Sequence, residues 1–572
     1  MSSKAKALLV IGGLLALLAI GVVLIVAGSA FALRHVPAKA VLALEVFGPI
    51  PETAPEAPFG ELFGASLVNR TDLRDALVRA ADDERIRAVR VKVDDLAAGF
   101  ATVQELRILL ARVALAGKPT VAYLDTAGEF SSGNIEYYLA SGCQRIVVGP
   151  IGDVNLTGLT ARVPFMRGTL DKLGIEPEFP GIGEYKDARF MYTERDLSPA
   201  QREMYGWLLD SLRDQLVGGM AGSRQVSAEK AAALLAGGPY TAQEARDAGL
   251  VDEVADWSSF VAEVDALGGG NLEEISLRRY LRSGRPDESG PAVAVVVAEG
   301  EILRGESGYS PVPVFGGDVM GAETISRAFR AVRDSSARAV VFRINSPGGS
   351  VVGSEIIRAE MERTGAAIPV VVSMGDLAAS GGYWIACGAR RVFADPGTLT
   401  ASIGVYGGHL AMSRFWGEKL GITWGRIAGD PNADIWGSLD PWTPEQRGIV
   451  EKFLERAYDN FLERVSTARK LPREQVDALG RGRVFTGAQA VERGLVDELG
   501  GFDEALAAAK ELAGIRADAT VSLEFYPRVV PLWQRILARE TDSARLSKAL
   551  RAVASGEFVV PGPVWLPPIR IE

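Results

Sequence analysis

Residues 240–253 read YTAQEARDAGLVDE, and 245 positions later residues 485–498 read FTGAQAVERGLVDE. The likeness extends outward on both sides. AVLALEVFGPI from Ala40 returns as AVAVVVAEGEI from Ala292, and RAVRVKVD from Arg87 returns as RAVVFRIN from Arg338. YYLASGCQRIVVGP from Tyr137 pairs with YWIACGARRVFADP from Tyr383, and KLGI stands at both Lys172 and Lys419. The offset drifts only from 252 to 245 along the chain, so the order of segments is kept. Such a repeat is far longer than the roughly 20–50-residue period of a solenoid and marks two copies of one domain. The copies span residues 40–280 and 291–515. A linker rich in Arg, Gly, Ser, Pro and Asp lies at 281–290, a leading segment at 1–39 and a tail at 516–572. Within each copy, β-branched runs (88–93, 339–344, 370–373) alternate with amphipathic stretches such as 72–81 and 353–364. That alternation predicts an α/β fold with parallel strands crossed by helices.

Composition narrows the chemistry. With 48% apolar and 23% charged residues among 572, the chain is globular rather than disordered. A net charge of −10 argues against a nucleic-acid partner. Two histidines (His35, His409) and two cysteines (Cys143, Cys387) exclude a disulfide framework, most zinc sites and nearly every Ser–His–Asp triad. No metal or cofactor is expected. Any hydrolytic chemistry needs a base other than the usual imidazole.

Residues 7–33 are apolar and uncharged, between Lys4 and Lys6 on one side and Arg34 on the other. As a helix at about 1.5 Å per residue this run exceeds the roughly 30 Å of bilayer hydrocarbon. It is also longer than the apolar region of a cleaved signal peptide, about 7–15 residues. An uncleaved, single-pass signal anchor is therefore expected, although Ala30-Phe31-Ala32 offers a small-x-small cleavage site. The flanking charges favour an inside amino terminus, with the rest of the chain extracytoplasmic. In the tail, Trp533, Ile536, Leu537, Leu546 and Leu550 form an apolar stripe suited to a neighbouring domain or subunit, or to a membrane surface.

The copies differ where chemistry would sit. After one strand of the second copy comes Asn345-Ser346-Pro347-Gly348-Gly349-Ser350, whose glycines let backbone amides approach an anion. The first copy has Asp94-Asp95-Leu96-Ala97-Ala98-Gly99 instead. After the next strand, Ala378-Ala379-Ser380-Gly381-Gly382 sets a serine at the start of a helix expected to reach about Ala389, beside the Gly381 amide. Its partner in the first copy is Asn134. A serine there is also an ordinary N-cap; the paired Pro-Gly-Gly and Ser-Gly-Gly, both lost from the sister copy, favour a nucleophile. For its base, His409 is one choice. Lysine is the other, and there are only 13 against 49 arginines. Lys186, in Gly183-Glu184-Tyr185-Lys186-Asp187-Ala188, precedes a helical stretch. The second copy has no lysine in the matching loop, Ala428-Gly429-Asp430-Pro431-Asn432-Ala433. One copy keeps the serine and the other the lysine.

GEYKDA in the first copy and NSPGGS, ASGGYWIA and LTASIGVYGG in the second, within a duplicated chain, resemble signal peptide peptidase A (protease IV) in its long bacterial form. The resemblance covers nearly the whole chain. It implies two tandem ClpP/crotonase-type domains, a Ser–Lys endopeptidase, a bowl-shaped homotetramer facing the bacterial inner membrane, and substrates that are apolar signal-peptide remnants. It also implies Ser380 as nucleophile, Lys186 as general base, Ser402 orienting the lysine, and the Gly348 and Gly381 amides as the oxyanion hole. Ala401 replaces a commoner glycine and Leu377 a commoner aromatic. A crotonase-like acyl-CoA enzyme and a non-catalytic membrane scaffold are the competing classes. For a Ser–Lys pair to work near neutrality the amine must be dry, so Glu184 and Asp187 are expected to face away from it.

Overall fold

The valine-rich runs of the two copies form two sheets built in one strand order. The computed structural model describes residues 35–53, 68–286, 289–310, 317–528 and 570–571. Its first sheet runs Glu253–Val254, Arg145–Val148, Thr120–Leu124, Ile86–Ala97, Ala40–Pro49, Glu273–Ser276. The second repeats the path as Glu498–Leu499, Arg391–Ala394, Val370–Ala379, Ala339–Ser346, Ala292–Glu299, Ser522–Tyr526. All neighbours on both paths are parallel. The last strand moves the boundary expected at residue 515: the sheet continues into the segment assigned to the tail, where Tyr526 is buried beside Val296. The apolar run 7–33 and the stripe in the tail lie outside the described residues. Among those described, no helix is long and apolar enough to cross a membrane.

Parallel sheets need cover on both faces, which is why their strands read as unbroken apolar runs. Successive side chains along Ala292–Glu299 point to opposite sides. Val293 and Val295 pack with Phe502, Leu506 and Ala509 of the helix Phe502–Leu512. Ala294 and Val296 pack with Ile325, Phe329 and Ile357, from the helices Ala322–Arg333 and Val351–Gly365. The first copy does the same, with Val41 and Val121 against Phe260 on one face and Leu42 against the opposite layer. Each fully buried side chain of this size contributes about 1.5–3 kcal/mol. A 26-residue helix closes each copy, Pro199–Arg224 and Pro444–Arg469. Both start with proline, and both are capped by a hydroxyl and a glutamine in reciprocal contact, Ser198 with Gln201 and Thr443 with Gln446.

The copies are joined by a buried ionic cluster. Arg343 of the second copy is fully buried and reaches Glu52 Oε1 at 2.9 Å and Glu105 Oε1 at 2.7 Å, both in the first. Arg70 holds the other oxygen of each, at 2.6 and 2.8 Å. Nearby, Asp376 of the second copy accepts from the Thr102 amide at 2.9 Å and the Thr102 hydroxyl at 2.7 Å. The copies are joined a second time by an excursion of the first. Glu176–Glu178 pairs antiparallel with His409–Ala411, and Gly181–Ile182 with Val405–Tyr406. Residues 176–182 therefore run as an added ribbon on the second copy.

Removing one member of a buried ion cluster leaves uncompensated charge and costs about 3–5 kcal/mol. Arg343→Met is expected to lower unfolding free energy by that amount in urea denaturation, and to open the interface between copies to proteolysis before either copy unfolds.

Candidate active site

The strand Val370–Ala379 ends on Ser380, which takes φ +57° and ψ −114°, a conformation that side chains other than glycine rarely adopt. The helix behind it, Gly381–Ala386, is shorter than expected and stops before Gly388. Ser380 does not cap it with its side chain, so the N-cap explanation for this serine fails. The turn is fixed from behind: the Ser380 amide donates to the Ala401 carbonyl at 2.7 Å and the Trp384 amide to the Ser380 carbonyl at 2.9 Å.

What faces the hydroxyl is Lys186. Its Nζ stands 2.6 Å from Ser380 Oγ, 2.9 Å from Ser402 Oγ and 3.1 Å from the Ser402 carbonyl oxygen. Both Ser402 oxygens reach one nitrogen because Ala401 and Ser402 adopt φ of +65° and +53°. The left-handed backbone at 401 is one that glycine adopts more readily than alanine. Lys186 is 1% exposed and Ser380 is wholly buried. The ribbon 176–182 carries the lysine across from the first copy, and the Tyr185 amide ties it to the Arg481 carbonyl at 3.0 Å. Gly482 makes room for it: a Cβ there would stand 2.2 Å from the Lys186 backbone nitrogen.

Beside Ser380 lies the Pro-Gly-Gly loop. A Cβ on Gly381 would stand 2.6 Å from Ser354 Oγ, 3.1 Å from the Gly349 nitrogen and 3.2 Å from Gly348 Cα, so glycine is what lets these segments touch. The Gly348 amide, expected as an oxyanion donor, donates instead to Ser346 Oγ at 3.2 Å, and that hydroxyl donates to the Gly300 carbonyl at 2.7 Å. The loop amide lying against Gly381 is that of Gly349.

The sister site is closed. Asn134 donates to Ser132 Oγ at 2.7 Å and the Gly158 carbonyl at 2.8 Å, while Glu136 accepts from the Leu96 amide at 3.1 Å within the degenerate loop. His409 is occupied elsewhere. Its Nε2 meets Glu178 Oε2 at 3.0 Å, its Nδ1 meets the Gly437 carbonyl, and its ring stacks on Trp442. Neither nitrogen reaches Ser380. Among the described residues no cluster of His, Cys, Asp and Glu is arranged to hold a metal.

The family model for peptidase family S49 matches this chain twice, over residues 113–269 and 362–516, once in each copy. The chain belongs to peptidase family S49. Protease 4 of Salmonella typhi is 33% identical over 87% of this chain and 81% of its own length. Protease 4 of Haemophilus influenzae is 32% identical over 79% of this chain and 74% of its own. The chloroplastic serine protease SPPA of Arabidopsis thaliana is 30% identical over 79% and 67%. This protein is a serine peptidase.

In the S49 peptidase, burial pushes the Lys186 amine down from 10.5 to about 7. Asp187 is the one charge acting against that shift. Glu184 faces outward and pairs with Arg481 at 2.9 Å. Asp187, expected to face away as well, is turned from the amine yet buried: it accepts from the Tyr205 hydroxyl and from Gln201 Nε2 at 3.5 Å. Gly482 and Tyr205 carry no signal in the sequence, and Gly349 stands there only as the second glycine of the Pro-Gly-Gly loop.

A lysine whose folded pKa lies below its unfolded value costs stability wherever the unfolded chain would bind the proton. That cost is complete below about pH 7 and vanishes as pH rises toward 10.5. Lys186→Met is therefore expected to be more stable than the parent at pH 6, by about 2–4 kcal/mol, the two converging above pH 9. Urea titrations at pH 6, 7.5 and 9 measure this.

Proposed function

We propose that this serine peptidase cleaves extended apolar peptides, signal-peptide remnants in the membrane foremost, through an acyl-enzyme on Ser380 with neutral Lys186 as the base. The observation that carries this is the buried amine 2.6 Å from the serine oxygen, with no carboxylate in contact with it. A neutral amine has two N–H bonds and one lone pair. The Ser402 carbonyl and hydroxyl oxygens accept the two protons, which leaves the lone pair directed at the Ser380 hydroxyl. Ser402 thus orients the base.

In acylation the lone pair takes the Ser380 proton as Oγ attacks the scissile carbonyl. The negative charge on the carbonyl oxygen is received by the Gly381 amide and by the Gly348–Gly349 loop, in which the Gly349 amide lies against Gly381. A single donor of this kind is worth about 3–4 kcal/mol where one has been removed. The lysine then hands its proton to the leaving amine, and the product with the new amino terminus departs. Water enters, gives a proton to Lys186, and its oxygen displaces Ser380 from the acyl carbon. The proton returns to Oγ.

The apolar run 7–33 fits a signal anchor that holds the catalytic portion outside the cytoplasm and concentrates it near membrane-embedded remnants. Two tandem ClpP/crotonase-type domains and assembly as a homotetramer are part of the same proposal. The duplicated parallel sheets support the two domains, and the resemblance of the motifs supports both the domains and the assembly.

A serine-directed fluorophosphonate is expected to label the wild-type protein. Labelling should be lost in Ser380→Ala and slowed by about 10²–10⁴-fold in Lys186→Ala. An unlabelled wild type would sink the peptidase assignment to this serine. Undiminished labelling of Lys186→Ala would remove the lysine from its role.

A further inference from the structure

Asp187 is a buried carboxyl beside the base, and the acyl-enzyme steps make no use of it. Its surroundings are specific. The Tyr205 hydroxyl donates to Oδ2, and Gln201 Nε2 lies 3.5 Å from the same oxygen. Both donors stand on the first two turns of Pro199–Arg224. Gln201 is fully buried, and its carbonyl oxygen accepts from the Ser198 amide at 2.9 Å, so one side chain caps the helix and holds the carboxyl. The second copy has a related contact with a different charge balance. There Gln446 Nε2 donates to Asp434 at 3.0 Å, but Asp434 is paired with Arg426 at 2.8 Å and no lysine lies alongside. Asp187 has no such arginine.

We propose that Asp187 is a positioning residue that sets the pH at which Lys186 becomes the free base. Pinned through Tyr205 and Gln201 to the helix Pro199–Arg224, it ties down the turn carrying the lysine. Its charge, held close to but not against the amine, favours the ammonium form. The inference rests on Lys186 being the base.

The groups facing this pair are few. From its own turn come Glu184, committed to Arg481 at 2.9 Å, and Arg189, which lies over the Phe190 ring. The helix Pro199–Arg224 adds Tyr205 and Glu203, the latter engaged by Arg483 at 2.9 Å and by the Tyr185 hydroxyl at 3.2 Å. Strand Val405–Tyr406 contributes Tyr406, whose hydroxyl burial holds neutral. The segment before Phe485 contributes Arg481 and Arg483, both already paired. Burial brings Asp187 up to about 6 and Lys186 down to about 7, so both change charge close to neutrality. Between those values the pair is charged on both sides and the lysine has no lone pair. Above them the amine is free.

The sign of each substitution follows. Asp187→Asn keeps an acceptor for Tyr205 and removes the charge, so the lysine loses its proton more easily. The acid limb of kcat/KM should move to lower pH, by about one unit. Tyr205→Phe removes the hydroxyl that favours the carboxylate. A larger fraction of Asp187 is then neutral near pH 7, and the limb should move the same way by less. The position of the limb is the readout, not the height of the plateau, which a loosened turn would also lower. The experiment measures kcat/KM between pH 5 and 9 on a fluorogenic apolar peptide with the full-length protein. It compares wild type, Asp187→Asn, Tyr205→Phe and Lys186→Ala, with circular dichroism as the control for folding. Downward shifts in both variants support the proposal. An unmoved or raised limb in either folded variant overturns it. Activity that persists in Lys186→Ala, with the wild-type limb unchanged, overturns the assignment of the base instead.

Discussion

A lysine in water is almost never a base at neutral pH, with about one molecule in a few thousand deprotonated. In this molecule the surroundings of one amine change that number. Lys186 is stripped of water, given two oxygen acceptors from Ser402 and set against a single hydroxyl. Desolvation does most of the work, because taking the ammonium out of water costs far more than taking out the neutral amine. The strained backbone at Ser380, Ala401 and Ser402 is the local cost of that arrangement, and such strain persists only where the surrounding structure over-determines it.

The surrounding structure here is the contact between the two copies. Lys186 belongs to the first and Ser380 to the second, so the site exists only while the copies hold their relative position. Two of the features that hold it stand out. The cluster of Arg70, Arg343, Glu52 and Glu105 satisfies both carboxylates from both sides. The ribbon 176–182, paired with 405–411, fixes the height of the lysine along the second copy. A slip of one residue in that ribbon would turn its side chains to the opposite face. The first copy has given up its own serine and loop, and its counterpart of the site is closed by Asn134 and Glu136.

Much of this is legible in the sequence, for a physical reason. A duplicated sequence supplies its own control: Ser380 against Asn134, Pro-Gly-Gly against Leu-Ala-Ala, and a lysine in only one of two matching loops. Strand and helix positions followed from apolar periodicity, although Val370–Ala379 runs six residues past the expected end and Ser522–Tyr526 was missed as sheet. Such edges depend on partners far away in sequence. What sequence could not give was direction. Nothing in Asp187 distinguishes a carboxyl facing water from one buried against Tyr205, because burial is decided by a helix that begins twelve residues later. In the same way, two adjacent glycines look alike until the Ser346 hydroxyl engages the amide of one of them. His409 is an eligible base by sequence, and only its enclosure by Glu178 and Trp442 removes it.

The bond between Lys186 and Ser380 spans 194 positions. A chain that emerges from its amino terminus exposes the lysine long before the serine exists, and the serine before the strand at Ser522–Tyr526 has closed the second sheet. Contacts of such long range form late, because a large loop must close before they gain anything. For the nascent protein this acts as a delay: no chain that ends before Ser380 carries both the amine and the hydroxyl, and neither copy alone brings the two together.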